Sequence, residues 1–232
     1  MKKRLQKILL CLFVLTIAYL VTYYPGDKNA IAAMRSDETV AISRTDYGWY
    51  FDGPSEDDVL IFYAGANIEE TAYAPLLHNL AEHGMDACLL KLPFRVALFA
   101  TDKADEVIRQ YHYKNCYVGG HSLGGLTAGL FAHKTSLDIK GVILLASYLY
   151  KPVRETMHVI SIYGTEDKVI NIKKVKEMRN RISGAYDEVI IEGGNHTQFG
   201  NYRKQILDGD PKITWQEQQQ RTVETILKCT KE

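Results

Sequence analysis

The stretch Gly120-His121-Ser122-Leu123-Gly124-Gly125 follows a short β-type run, Cys116 to Gly119, and opens a helical run from Leu123 to Lys134. A serine with glycine two residues before it and two after it fits a very tight strand-to-helix turn. A Cβ at either glycine would meet the neighbouring strand or helix. Such a turn lifts the hydroxyl clear of the backbone, so Ser122 reads as an exposed nucleophile rather than a helix cap.

Outward from this turn, strand and helix alternate. Val59 to Tyr63, Met85 to Leu90, Lys140 to Leu145, His158 to Tyr163 and Glu188 to Ile191 read as strands. Thr71 to His83, Thr101 to Tyr111, Ile172 to Ile182 and Ile213 to Cys229 carry apolar residues at helical spacing. The central strands (VLIFY, GVILLA, HVISIY) are nearly continuous apolar runs, the mark of parallel strands covered on both faces. Thr39 to Ser43 and Trp49 to Phe51, split by Asp46 and Gly48, read as a hairpin at the sheet edge. The fold class is α/β, a doubly wound and mostly parallel sheet.

Ligands in such sheets sit at the C-terminal ends of the strands. The residues just past each strand there include Ser122, then Glu166 and Asp167, then His196. A serine hydroxyl needs a histidine to accept its proton as it attacks, and a carboxylate on the other ring nitrogen fixes the tautomer. Ser122, His196 and Asp167 are assigned these roles, with Glu166 as the competing acid. His78, His83, His112 and His133 fall in or beside helices or on turns; His158 begins a strand at the far end; His121 should point elsewhere. The oxyanion formed on attack needs donors. Leu123 N–H, at the start of the helix, is one. Ala66 N–H, with Gly65 next, is the other, in the small-residue loop after VLIFY. No two histidines stand at ligand spacing in a plausible site, so no metal is expected, and no cofactor is assigned.

These residues resemble the α/β-hydrolase superfamily, and within it small membrane-anchored bacterial members akin to dienelactone hydrolases. The likeness rests on LIFYAGAN with TAYAPLLHNLAEHG, KLPF, GHSLGG, IYGTEDKV, and GGNHTQFGNY with Gly209-Asp210, and covers most of residues 55 to 220. It implies a serine hydrolase acting on a carboxylic ester or related acyl bond. Ala64-Gly65-Ala66 departs from the glycine-richer or His-Gly loop of relatives. An acyltransferase using the same acyl-enzyme, or a non-catalytic binding protein on this fold, are the alternatives.

The interval Ser147 to Met157 is too short for a cap domain, so the site should be open. Pro93, Phe94, Tyr148 and Phe199 are candidate substrate-binding residues. Trp215 and the run Gln216 to Gln220 read as part of a surface helix.

The N-terminus reads differently from the rest. Lys2, Lys3, Arg4 and Lys7 precede an uncharged apolar run, Ile8 to Tyr24. A helix of that length spans about 26 Å, close to the hydrocarbon thickness of a bilayer. Residues 1–24 are expected to be a single-pass anchor, with basic residues on the cytoplasmic side and the catalytic domain outside. Cleavage at Ala30-Ile31-Ala32, giving a secreted protein, is the alternative. Residues 25–37 read as a linker and 38–232 as the hydrolase domain. Formal net charge is zero, and the four N-terminal cations leave the remainder at −4. That lacks the concentrated basic face of a nucleic-acid binder. Cys88 and Cys116 lie in apolar strands, and no structural disulfide is expected.

Overall fold

The computed structural model describes residues 4–11, 19, 22–54 and 57–231. Eight strands form one sheet: β1 (Ala41–Arg44), β2 (Gly48–Asp52), β3 (Asp58–Tyr63), β4 (Asp86–Leu90), β5 (Asn115–His121), β6 (Gly141–Leu145), β7 (His158–Gly164) and β8 (Tyr186–Ile191). Their order is β1-β2-β4-β3-β5-β6-β7-β8. β1 and β2 form an antiparallel edge hairpin, with β2 antiparallel to β4. All pairings from β4 to β8 are parallel. The interior strands are buried along almost their whole length, as expected of strands covered on both faces. β8 begins two residues earlier than its apolar run suggests, because Tyr186 and Asp187 pair with Val159 and Ile160 at the open edge.

The covering helices are α1 (Lys28–Ala32), α2 (Ala74–Glu82), α3 (Lys103–Gln110), α4 (Leu123–Lys134), α5 (Ile172–Met178) and α6 (Trp215–Lys231). α4 is rich in small residues and lies close to the sheet. The chain winds from β3 to β4 on one side, then returns past β3 to β5 on the other. The ends of β3 and β5 therefore flank the switch point where such sheets open a crevice. Residues 146–157 join β6 to β7 without helix or strand, so no cap covers that crevice.

The segment 25–37 is not a free linker. Tyr24 N–H donates to the Asn67 carbonyl (2.9 Å) and Asp27 N–H to the Asn201 carbonyl (2.8 Å). Gly26 N–H meets the Glu69 carboxylate at 2.9 Å. The Asp27 carboxylate caps α1 by accepting from Asn29 N–H and Ala30 N–H, and Ala30 is fully buried. Polar groups of this segment are thus used to seat it against the loops after β3 and β8.

Residues 4–11 are helical, with Leu5, Ile8, Leu9 and Leu10 exposed. Among the described residues no helix is long and apolar enough to cross a membrane. Much of the expected anchor, residues 12–18 with 20 and 21, lies outside the described residues. Cys88, Cys116 and Cys229 are buried, and Cys11 is exposed.

Candidate active site

Ser122 stands between β5 and α4 with φ +54° and ψ −120°. A non-glycine residue in this region costs on the order of 1–3 kcal/mol, so the surroundings must hold it there. Ser122 N–H donates to the Leu145 carbonyl (2.9 Å), and its own carbonyl accepts from Leu126 N–H (3.2 Å). That carbonyl also accepts the Ser147 hydroxyl at 2.7 Å. The flanking glycines are obligatory. A Cβ on Gly120 would lie 2.4 Å from the Tyr63 carbonyl oxygen, and one on Gly124 2.1 Å from the same atom.

His196 follows β8, and its Nδ1 lies 2.8 Å from Asp167 Oδ2. Both side chains are shut away from solvent. Asp167 Oδ1 accepts from the N–H groups of Val169 and Ile170, each at 2.8 Å, which fixes the carboxylate and leaves Oδ2 to the histidine. The bond to Oδ2 holds a proton on Nδ1, so Nε2 carries a lone pair. That Nε2 is buried and has no hydrogen-bond partner. Glu166, the competing acid, pairs instead with Lys212 at 2.6 Å, which holds its carboxyl below the usual range.

Ser122 and His196 line one cavity of about 200 Å³, together with Leu123, Leu126, Tyr148 and Val169. Leu123 is the first residue of α4, so its N–H has no partner within the helix. The loop after β3 presses on this helix start, since a Cβ on Gly124 would also lie 2.5 Å from the Ala64 carbonyl oxygen. Gly65 N–H is already engaged by the Tyr73 hydroxyl at 3.1 Å. Of the two donors expected from this loop, exposed Ala66 is the one that remains.

Of the expected substrate residues, only Tyr148 lines the cavity. Phe199 is fully buried and packs on His121, with ring centroids 5.8 Å apart. Pro93 and Phe94 border a different depression, of about 630 Å³, with Tyr23, Glu69 and Lys91.

Four residues that the sequence does not mark support the site. His121 does not point away from it: fully buried, its ring packs on that of His196, centroids 4.4 Å apart. Its Nδ1 lies 2.8 Å from the Tyr73 hydroxyl, which also receives Gly65 N–H. Burial, and secondarily the neighbouring His196, drive the His121 pKa well below 6.5. The ring therefore stays neutral beneath the base.

Asp208, almost fully buried, accepts from five donors. Its Oδ1 faces the N–H groups of Gly209 (2.8 Å), His196 (3.3 Å) and Lys168 (3.5 Å). Its Oδ2 takes Thr197 N–H (2.8 Å) and the Thr197 hydroxyl (2.7 Å). It thus ties the loop of the acid to the loop of the base. Gln218 and Gln219, on the helix read as a surface element, are buried. Gln218 Oε1 accepts Asn195 N–H (2.9 Å), and its Nε2 donates to the Asn195 carbonyl (2.8 Å). Gln219 Nε2 reaches the Gln198 carbonyl at 3.1 Å.

Among the described residues no three His, Cys, Asp or Glu side chains gather as metal ligands. A serine on a strained strand-to-helix elbow, beside a buried histidine–carboxylate pair on an uncapped parallel sheet, defines the hydrolase class of α/β proteins. The chain belongs to the alpha/beta hydrolase family, whose profile matches residues 59–222. It is similar to a serine hydrolase-like protein of Danio rerio, 28% identical over 106 residues, which are 45% of this chain and 31% of that one. The match thus spans about a third of that relative's length. Among solved structures, a bacterial membrane phospholipase A superposes with a TM-score of 0.63 at 12% identity over the whole of both chains. A Klebsiella pneumoniae protein named as a dienelactone hydrolase gives 0.61 at 15%, over 82% of this chain and 99% of that one. A thermophilic esterase of Thermogutta terrifontis gives 0.54 at 13%, over 82% and 91%.

Proposed function

We propose that the protein is a serine hydrolase that cleaves carboxylic esters through an acyl-enzyme on Ser122. The observation that carries this is the buried His196–Asp167 pair, whose unpartnered Nε2 shares a cavity with Ser122. Ser122 Oγ attacks the ester carbonyl while His196 Nε2 takes its proton, and Asp167 stabilises the resulting imidazolium. Leu123 N–H and Ala66 N–H receive the oxyanion. His196 then protonates the departing alcohol, and a water activated by the same nitrogen releases the acid. A cavity of about 200 Å³ suits a short acyl chain. In the same sense, the Thermogutta esterase has been solved with butyrate and with propionate bound.

The basic cluster and apolar run before Pro25 support a further part of the reading: residues 1–24 tether the domain to the membrane, on its outer side. Protease added to intact cells should digest the domain, and full protection would refute this placement.

The enzymatic reading is tested by fluorophosphonate labelling of the full chain. The wild type should be labelled and Ser122→Ala should not. His196→Ala should lower p-nitrophenyl butyrate turnover by about three orders of magnitude or more. A folded wild type that stays unlabelled would refute the assignment.

A further inference from the structure

Two apolar projections stand on the edge of the sheet where the site opens. One follows β4: Phe94 is 64% and Phe99 69% exposed, with their rings edge to face at 6.3 Å. Phe94 and Arg95 both have positive φ, +52° and +58°. Two consecutive non-glycine residues in that region are costly, so the surroundings must hold them there, with the Phe94 ring left exposed. The other follows β8: Ile206 is 91% and Leu207 81% exposed. The next residue is Asp208, which holds the His196 backbone.

The N-terminal segment reaches the domain between the two. The Tyr19 hydroxyl donates to the Phe94 carbonyl (3.2 Å), and the Tyr23 ring lies under the Arg95 guanidinium at 4.2 Å. On the opposite side, Tyr24 packs edge to face on Tyr202 and stacks beneath Arg203 at 5.0 Å. Tyr19, Tyr23 and Tyr24 thus meet the rim with exposed apolar side chains on either hand. Exposed Arg203 and Lys204 adjoin them.

We infer that this rim is the face the protein lays on a lipid bilayer, and that the substrates are acyl esters of amphiphiles drawn from that bilayer. The inference rests on the hydrolase reading for its chemistry but not for its geometry. Exposed apolar side chains with Arg203 beside them, at the point where Tyr19, Tyr23 and Tyr24 meet the domain, match an interfacial surface. An anchor attached elsewhere would leave the cavity facing water. Attached here, it turns Ser122 toward the acyl chains.

The test uses the full chain reconstituted in phosphatidylcholine–phosphatidylglycerol vesicles. Two substrates are compared: a fluorogenic phospholipid in the vesicle, and soluble p-nitrophenyl butyrate. The triple variant Phe99→Ser, Ile206→Ser, Leu207→Ser should lose vesicle-borne turnover by about tenfold or more and keep soluble turnover within about twofold. Equal turnover of the vesicle-borne ester by variant and wild type would overturn the inference. A separate variant, Leu207→Trp, should be quenched by brominated lipid. The same fluorescence with and without brominated lipid would overturn it even if the triple variant is damaged, as would a rim shown by cross-linking to be covered by a second copy. Ser122→Ala retaining soluble turnover would refute the hydrolase reading instead, leaving the quenching result to stand or fall by itself.

Discussion

Replacing Asp208 by asparagine keeps the shape of the side chain and removes its charge. The carboxylate now accepts five hydrogen bonds, three of them between 2.7 and 2.8 Å. An asparagine can present its carbonyl to only one set. Facing Gly209, His196 and Lys168, it turns its NH2 toward Thr197. The Thr197 hydroxyl can rotate to accept, but Thr197 N–H then meets another donor and stays unpaired. One buried unsatisfied donor costs about 1–3 kcal/mol, and the remaining bonds lose their charge assistance. A total of about 3 kcal/mol corresponds to a fall in Tm of roughly 6–12 °C for a domain of this size. Because Asp208 grips the backbone of His196 and Lys168 together, the base should also shift relative to Ser122. Misplacement of about 1 Å can cost on the order of a hundredfold, so kcat toward p-nitrophenyl butyrate should fall about 10–100-fold with KM little changed. Thermal melting of the full chain and steady-state kinetics well below Tm measure the two effects separately. A lowered Tm with unchanged kcat would refute the positioning argument, and an unchanged Tm would refute the hydrogen-bond accounting itself.

Other expectations follow from the same geometry. The folded-state pKa of His121 lies below 6.5, so the unfolded chain takes up a proton there that the folded chain refuses, and this residue costs stability as pH falls below about 6.5. In His121→Gln, stability should fall less steeply as pH drops below about 6.5, by up to about 1.4 kcal/mol per unit; denaturation curves of equal slope would contradict this. Gln218→Leu strips the partners from both Asn195 N–H and its carbonyl. It should cost about 2–4 kcal/mol in urea unfolding, and a loss below about 0.5 kcal/mol would count against the bracing role. Gly124→Ala forces a methyl to within 2.1 Å of the Tyr63 carbonyl oxygen. Fluorophosphonate labelling should slow by about a hundredfold, and an undiminished rate would show that the elbow tolerates a side chain. Burial pushes the Cys88 thiol up to about 12. Ellman's reagent should leave Cys88, Cys116 and Cys229 unreacted in the native chain and reach them only after unfolding; a fast native reaction at any of the three would mean that a buried cysteine is reachable.

What the sequence shows of this fold is what short-range pattern determines. Gly120 and Gly124 mark the elbow because a two-residue spacing carries its steric demand. The runs VLIFY and GVILLA mark central strands because both of their faces are covered. Asp167 and His196 stand at strand ends, where the order of elements alone predicts chemistry. The contacts that hold the site together are long-range and polar, and polarity by itself reads as surface. Asp208 and Asp210 lie two residues apart in the same loop. One is buried beneath the His196 loop, and the other pairs with Lys204 in the open. No periodicity separates them. Gln218 and Gln219 did carry a signal: with Thr222, Val223 and Ile226 they form the buried stripe of α6, at helical spacing. The identity of the residues obscured their position. His121 is hidden for another reason: its side chain turns into a space that exists only once Tyr73 and Phe199 have arrived from distant segments.

The seating of α1 sets a condition on any cleavage after Ala32. The bond after Ala32 can be cut by a signal-type protease only while the segment is extended. In the folded protein those residues are helical, capped by Asp27 and pinned by buried Ala30. Folding and such a cleavage would therefore compete for the same few residues. A chain that docks first keeps Tyr24 and Gly26 on the loops beside the site. A chain cut first loses them, and must hold Asn67, Glu69 and Asn201 in place without the strand-like strut that now spans them.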